Sequence, residues 1–330
     1  MIENIIVKLF TDKELGSVLL PISPVSGGFL HRMYRVDTEN GSFAVKHLNP
    51  NIMKRPEAMG NFKRADALEK MLEDAGIPIV PAITINGCKL QEYYGEYFYI
   101  FPWQKGQTTD LYNISADQCR AAGSIQGRIH AIAPVQNPKP EPEFICMDWI
   151  GLTEAAIRQN PDIGTVIEEN KDLLIYAENE MNKARAALPG IECIVDEDMD
   201  PKNVIWDEDS PKVIDLECLE RGNPVSSVLQ LSLQWAGAAV CDLDFNKLTA
   251  FFDGYFEAYD NGFRDYSAVF GLAYTWTEWL AYNVERAVAP GVDEAERGTA
   301  VLQAKLAVES IRYLYRTEEP IRRHLDRMLK

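Results

Sequence analysis

Val195-Asp196-Glu197-Asp198-Met199-Asp200-Pro201-Lys202-Asn203-Val204-Ile205-Trp206, followed by Val213-Ile214-Asp215-Leu216-Glu217, is the stretch on which the reading of this chain turns. The apolar runs 193–195, 204–206 and 213–214 read as short strands, because β-branched residues dominate them and acid-rich loops separate them. Asp198 and Asn203 stand five residues apart in one loop, and Asp215 ends the third run twelve residues after Asn203. A hairpin brings Asn203 and Asp215 side by side, with Asp198 facing them across the loop. Two hard oxygen ligands beside a third carboxylate suit Mg2+, which binds through one or two carboxylates plus substrate phosphates. Asp198 is then free to take a proton from an attacking hydroxyl. The plain alternative is a solvated surface loop that happens to be acidic.

Outward from that stretch, the first hundred residues read mostly as strand and the remainder mostly as helix. The runs 33–36 and 43–46 flank Glu39-Asn40-Gly41, and Asn-Gly is a strong hairpin signal. Phe62, Ala65, Leu68, Met71 and Leu72 recur at three and four, which predicts a helix over 61–73 closed by Gly76. Pro78 and Pro81 forbid its continuation. A second hairpin turns at Asn86-Gly87, and Tyr97-Phe98-Tyr99-Ile100-Phe101 forms an aromatic strand. Beyond Gly106, helices are predicted over 115–130 and 152–187, with four or so amphipathic helices from 225 to the end. The expected fold is α+β in two lobes. Residues 1–104 form a nucleotide-binding lobe, with an antiparallel sheet plus helix. Residues 105–330 form a mainly helical lobe for catalysis and substrate binding.

Composition narrows the function classes. The chain has 330 residues, 46% hydrophobic and 25% charged, as in ordinary globular proteins. Its 33 Lys and Arg against 50 Asp and Glu leave a formal charge of −17. That balance argues against nucleic-acid binding, which needs a basic face, and against an anionic membrane surface. No run of 18 apolar residues predicts a membrane span. Met1-Ile2-Glu3-Asn4 shows no basic segment followed by an apolar one, so a secretory leader is not expected and a cytoplasmic location is. Six scattered cysteines without a C-x-x-C pair read as reduced. The four histidines show no zinc-ligand spacing.

Asp198-x-x-x-x-Asn203 followed by Ile214-Asp215-Leu216-Glu217 resembles the catalytic loop and metal-binding segment of the aminoglycoside phosphotransferase and choline kinase-like family. The likeness is nearest to the bacterial branch with spore-coat kinase-like proteins, where loops of the type H-R-D-x-x-P-K-N-V-x-W precede I-D-W-E. Asp198, Pro201, Lys202, Asn203, Val204, Trp206, Ile214, Asp215 and Glu217 match that pattern in type and spacing. The resemblance covers essentially the whole chain. It implies a protein-kinase-like fold and transfer of the ATP γ-phosphoryl group to a hydroxyl of a small molecule, with ATP and Mg2+ as cofactors. On that resemblance Asp198 is the base, and Asn203 and Asp215 hold Mg2+. Phe43-Ala44-Val45-Lys46 is similar to the family's V-A-I-K strand, whose lysine pairs the α- and β-phosphates. Asp66 occupies the place of the helix acid that holds this lysine, with Glu69 as the fallback. Ser26-Gly27-Gly28 takes the position of the phosphate-covering loop. Phe101 walls the adenine pocket, and the Pro102 carbonyl and Gln104 N–H address the adenine edge.

The chain also departs from that pattern. Asp196 and Glu197 stand where the family has His and often Arg, and Leu216 replaces Trp. After Gly222-Asn223-Pro224, where an acid is frequent, the chain has Ser226-Ser227. With Asp66 in place of Glu, these changes support a second expectation, a weak or inactive kinase-like scaffold or nucleotide sensor. For the acceptor, the candidates are Glu217, Glu220, Asp242, Trp276 and Trp279. Trp276, Trp279 and Asn283 recur at helical spacing, which core packing also explains. Eleven acids lie between Glu192 and Glu220. Acids beside aromatics suit a cationic amino alcohol or an aminoglycoside-like acceptor through charge and cation–π contacts.

Overall fold

The computed structural model describes residues 2–25, 31–136 and 144–329. Along the chain, helix α1 (Ile2–Asp12) leads into strands β1 (Val18–Val25), β2 (Arg32–Thr38) and β3 (Gly41–His47). Helices α2 (Pro50–Met53) and α3 (Ala58–Asp74) precede strands β4 (Gln91–Tyr93), β5 (Glu96–Pro102) and β6 (Gln107–Thr108). Helix α4 (Ala116–His130), strand β7 (Val135–Gln136) and helices α5 (Trp149–Gln159), α6 (Pro161–Glu169) and α7 (Lys171–Ala187) follow. Strands β8 (Ile191–Asp196), β9 (Val204–Asp207), β10 (Ser210–Val213) and β11 (Leu219–Gly222) come next. Helices α8 (Pro224–Trp235), α9 (Phe245–Ala258), α10 (Trp276–Val288) and α11 (Glu294–Leu329) complete the chain.

By internal packing the chain divides into two units. One comprises Met1–Thr109 with Lys202–Glu220, and the other Asp110–Pro201 with Arg221–Lys330. Residues 202–220 therefore pack with the strand-rich part, not with the helical part that a boundary at 104 would give them. The reason is backbone pairing. Val80 N–H donates to the Val213 carbonyl and Val213 N–H to that of Pro78, while β6 pairs with β9 at Gln107–Trp206.

In the first unit five strands form an antiparallel sheet in the order β1-β2-β3-β5-β4. Alternation along these strands separates two faces. Tyr34, Val36, Val45, Phe98 and Ile100 pack against Ile6, Leu9 and Phe10 of α1. Tyr99 turns to the other face and packs with Phe62 of α3, Leu48 and Ala82. Lys46 lies directly opposite Tyr99 in the β3–β5 register, so it shares that second face. On α3 the buried positions are Ala58, Phe62, Ala65, Glu69 and Leu72, a stripe at three- and four-residue spacing.

Gly106 sits at φ +101°, and a Cβ there would meet the Trp206 carbonyl oxygen at 2.1 Å. Only glycine allows β6 to start so close to β9.

The second unit is mainly helical. Ser115 caps α4 through a capping box with Gln118. Gly123 of α4 and Gly254 of α9 let the two backbones touch: a Cβ on Gly123 would fall 2.0 Å from the Phe251 carbonyl oxygen. The helix expected over 152–187 is three helices instead. Asn160 leaves helical geometry at φ −146° and ψ 86° because Pro161 follows it, and Asn170 separates α6 from α7. Six residues of this helical region carry a second polar feature: Gln126, His130, Ser227, Tyr255, Asn261 and Tyr266, all buried. The Gln126 amide N–H donates to Ser227 Oγ at 2.7 Å and meets His130 Nε2 at 2.9 Å; His130 Nδ1 meets the Tyr255 hydroxyl at 2.9 Å.

Candidate active site

In the first unit, an open cleft of about 290 Å³ is lined by Lys46, Asp66, Glu69, Phe101, Asp215 and Glu217, among others. Each position follows from local structure. Lys46 projects from β3 and is 6% exposed. Its ammonium donates to Asp215 Oδ1 at 2.6 Å and to Glu217 Oε2 at 2.5 Å. Asp215 follows β10 at φ 62° and ψ 58°, in the left-handed region that Asp tolerates better than most residues. That turn carries the chain from β10 into a short 3-10 segment, Leu216–Cys218. Asn203 is buried just before β9, and the Ile214 N–H donates to its carbonyl at 2.9 Å. The β9–β10 hairpin therefore brings Asn203 level with Ile214, next to Asp215.

Electrostatics reinforce the cluster. Burial on its own would lower the Lys46 pKa, but the Asp215 and Glu217 carboxylates more than offset it and hold the ammonium above its ordinary range. Burial would raise Glu217, yet the Lys46 charge and a hydrogen bond from His31 bring it down to about 2. His31 Nε2 lies 3.3 Å from Glu217 Oε1. At its other nitrogen, His31 Nδ1 accepts from the Asn49 N–H at 2.9 Å.

Two expectations about the lysine's partner are corrected. Asp66 does not hold Lys46. It accepts from the Tyr99 hydroxyl at 3.0 Å, and Tyr99 is the cross-strand neighbour of Lys46. Burial pushes the Asp66 carboxyl up, and Tyr99 and Lys89 only partly counter it. Glu69, the fallback, is bound to Lys89 at 2.5 Å and accepts from the Ala82 N–H at 2.9 Å. Aspartate is one methylene shorter than glutamate, and its carboxylate is taken by Tyr99, the residue opposite Lys46 in the sheet. Glu217, which the sequence suggested as an acceptor contact, is the second carboxylate on Lys46. Neither His31 nor Lys89 was singled out from the sequence. The signal that finds Lys89 is Glu69 itself, a charge on the apolar stripe of α3 that burial obliges to find a cation.

The remaining candidates are placed as follows. Phe101 lines the cleft. Pro102 ends β5 opposite Phe43, and its carbonyl accepts from the Gln104 side-chain amide at 3.2 Å. Lys212 Nζ donates to Gln104 Oε1 at 3.0 Å. Glu220 is exposed as a residue, but partial desolvation of its carboxyl by neighbouring atoms pushes its pKa up against the influence of Arg64. Ser26, Gly27 and Gly28 lie outside the described residues.

Asp198, Asp242, Trp276 and Trp279 belong to the second unit. Asp198 follows β8, and its N–H donates to Oδ1 of the buried Asp196 at 3.2 Å. Asp196, in the place where a histidine was expected, thus accepts a bond that shapes the loop around Asp198. Trp276 lines a cleft of about 260 Å³ with Gln230, Gln234 and Thr275. Trp279 stacks on Tyr282 at 5.5 Å and meets Gln303 through its indole N–H at 3.4 Å. Asp242 is exposed. Among the described residues no three His, Cys, Asp or Glu side chains form a metal cage, and no helix is long and apolar enough to cross a membrane.

Known proteins share this architecture. The spectinomycin phosphotransferase APH(9)-Ia, solved with ADP and spectinomycin, is 13% identical, with 93% of this chain and 96% of that one covered at a TM-score of 0.70. Amicoumacin kinase, solved in complex with AMP-PNP, Ca2+ and Ami, is 12% identical over 92% of both chains at 0.57. The ethanolamine kinase of Plasmodium vivax is 12% identical, with 88% and 83% covered, also at 0.57. These likenesses establish the kinase-like fold. No curated protein matches at the sequence level. The model of the phosphotransferase enzyme family matches residues 21–272, and on that match the chain belongs to the phosphotransferase enzyme family.

Proposed function

We propose that this chain transfers the γ-phosphoryl group of ATP to a hydroxyl of a small molecule. The observation that carries the reading is the cleft in which the Lys46 ammonium stands 2.6 Å from the Asp215 carboxylate, with Phe101 on its wall. A buried cation held by carboxylates at an open cleft suits polyphosphate bound with a divalent ion.

The donor set fits Mg2+. A carboxylate and a neighbouring amide are hard oxygen ligands, and Mg2+ characteristically completes its shell with phosphates and water rather than an all-protein cage. When bound, Mg2+ neutralises charge on the transferring phosphates. Asp215 and Asn203 would hold it. Lys46 binds the phosphate oxygens, and Phe101 with the Pro102 carbonyl and Gln104 N–H receives the adenine. Asp198 accepts the proton of the acceptor hydroxyl. The acidic run from Glu192 to Glu220 supports a cationic amino alcohol or an aminoglycoside-like acceptor. Glu220 and Asp242 are its candidate carboxylates, and the cleft at Trp276 its candidate aromatic wall.

A panel of amino alcohols, aminoglycosides and neutral sugars with γ-labelled ATP and Mg2+ tests the reading. Transfer of label to at least one hydroxyl compound is expected, with Asp198→Asn slowing transfer while sparing nucleotide binding. Equal turnover in wild type and Asp198→Asn would remove Asp198 from the chemistry. Label on neutral sugars alone would remove the cationic acceptor.

A further inference from the structure

We infer that His31 is a positioning residue, which through Glu217 sets the orientation of Lys46 in the nucleotide cleft. The inference rests on the reading of that cleft as the ATP site and adds the device that holds its lysine.

The argument starts from what Lys46 lacks. Neither acid on the cleft-facing side of α3 reaches it, because Tyr99 holds Asp66 and Lys89 holds Glu69. Its partners come instead from the segment after β10, and one of them, Asp215, is the residue proposed for Mg2+. Glu217 is then the partner left to Lys46 when Asp215 turns to metal. A glutamate on a short 3-10 segment has three side-chain torsions to fix before it can hold a neighbour in one place. His31 fixes them.

The tautomer of His31 follows from its contacts. Its Nδ1 accepts from the Asn49 backbone N–H, so Nδ1 carries no proton and Nε2, which lies 3.3 Å from Glu217 Oε1, is the nitrogen that carries it. Glu217 therefore receives a donor on one oxygen and the Lys46 ammonium on the other, at 2.5 Å. His31 is itself buried, with its ring 6.5 Å from that of Phe62. Burial fixes the imidazole, the imidazole fixes the carboxylate, and the carboxylate fixes the ammonium.

The test compares two substitutions that split the histidine's two functions. His31→Asn keeps an acceptor near the Asn49 N–H and loses the reach to Glu217. His31→Gln keeps a donor near the Nε2 position and loses the acceptor for Asn49. Binding of ATP without metal, measured by calorimetry, is expected to weaken about tenfold in His31→Asn, the usual size for a lost hydrogen bond to a charged group. It should stay within about threefold of wild type in His31→Gln. In nucleotide-free protein, acylation of Lys46 followed by peptide mass spectrometry should be faster in His31→Asn than in His31→Gln. Adding His31→Asn to Glu217→Ala should cost nothing further, because the two act through one chain of contacts. Wild type that binds no ATP would overturn the nucleotide reading and this inference with it. Wild type that binds ATP, with both His31 variants unchanged, equally weakened or additive with Glu217→Ala, would overturn this inference alone.

Discussion

At and beside the cleft of the first unit the buried polar groups form ion pairs: Lys46 between Asp215 and Glu217, with His31 behind, and Lys89 against Glu69. In the second unit the buried polar groups around His130 are neutral, a set of amides, hydroxyls and one imidazole. Burial pushes the His130 pKa down to about 3, so the ring is uncharged at neutral pH. The Asn261 amide donates to the hydroxyls of both Tyr255 and Tyr266, which fastens the segment after α9 to that helix. Both clusters meet the rule that a buried polar group needs a partner. They differ in what the partner could give up. Hydrogen bonds among neutral groups serve the fold alone. Keeping three ionised groups at an open cleft costs desolvation, and it supplies charges that an incoming polyphosphate or cation can use.

That contrast breaks in a definite order. Asp215→Asn keeps the shape and removes the charge, so phosphoryl transfer with Mg2+ and labelled ATP should fall at least about a thousandfold. Survival of turnover would make the charged cluster a structural device like the neutral one. Lys46→Met should lower kcat/KM for ATP by about a hundredfold, the size expected for one preorganised charge at a phosphate.

The neutral cluster should respond to acid instead. The folded pKa of His130 lies below the ordinary value of about 6.5, so the unfolded chain takes up a proton that the folded chain refuses. Its contribution is therefore complete above about pH 6.5 and is lost as pH falls toward 3. Between pH 7 and pH 5 the loss is about 2 kcal/mol. Denaturant unfolding at the two pH values should show it, and His130→Gln should make the change correspondingly smaller. The smallest contrast lies within the cleft. Glu217→Ala should raise KM for ATP about tenfold, and Asp66→Ala clearly less, since Asp66 answers to Tyr99 and not to Lys46. The reverse ranking would restore the helix acid to the role expected of it.

Much of this was legible in the residues. The Asn40-Gly41 hairpin, α4 and the short strands around Asn203 and Asp215 follow from turn chemistry and periodicity, and so do Phe62, Ala65 and Leu72 of the α3 stripe, whereas Met71 is exposed and Glu69 is buried in its place. The second hairpin joins β4 to β5 after Tyr93, and Asn86-Gly87 turns only an isolated bridge between Ile85 and Cys88. The family was legible from the spacing of Asp198, Asn203 and Asp215 with their neighbours, whereas the comparisons resolve the family and not the spore-coat kinase-like branch within it. What the sequence hid was pairing. Nothing local tells a lysine on β3 whether its carboxylate comes from α3 or from a segment 169 residues away at Asp215. Nor does a lone histidine at position 31 announce a partner at 217. The division of the chain was hidden for the same reason, since the Val213 ladder to Pro78 and Val80 is a long-range choice. The break of the 152–187 helix was readable, because Asn160-Pro161 carries it in plain view.

The seam at Gly106 has a consequence for reading relatives. Gly76, Gly87 and Gly95 have positive φ but open space where a Cβ would go, so Asn or Asp can replace them as the chain drifts. Gly106 combines the same backbone region with a carbonyl in the way. It should therefore be the punctuation mark that survives between the aromatic strand and the helices, even where the residues on either side have changed beyond recognition.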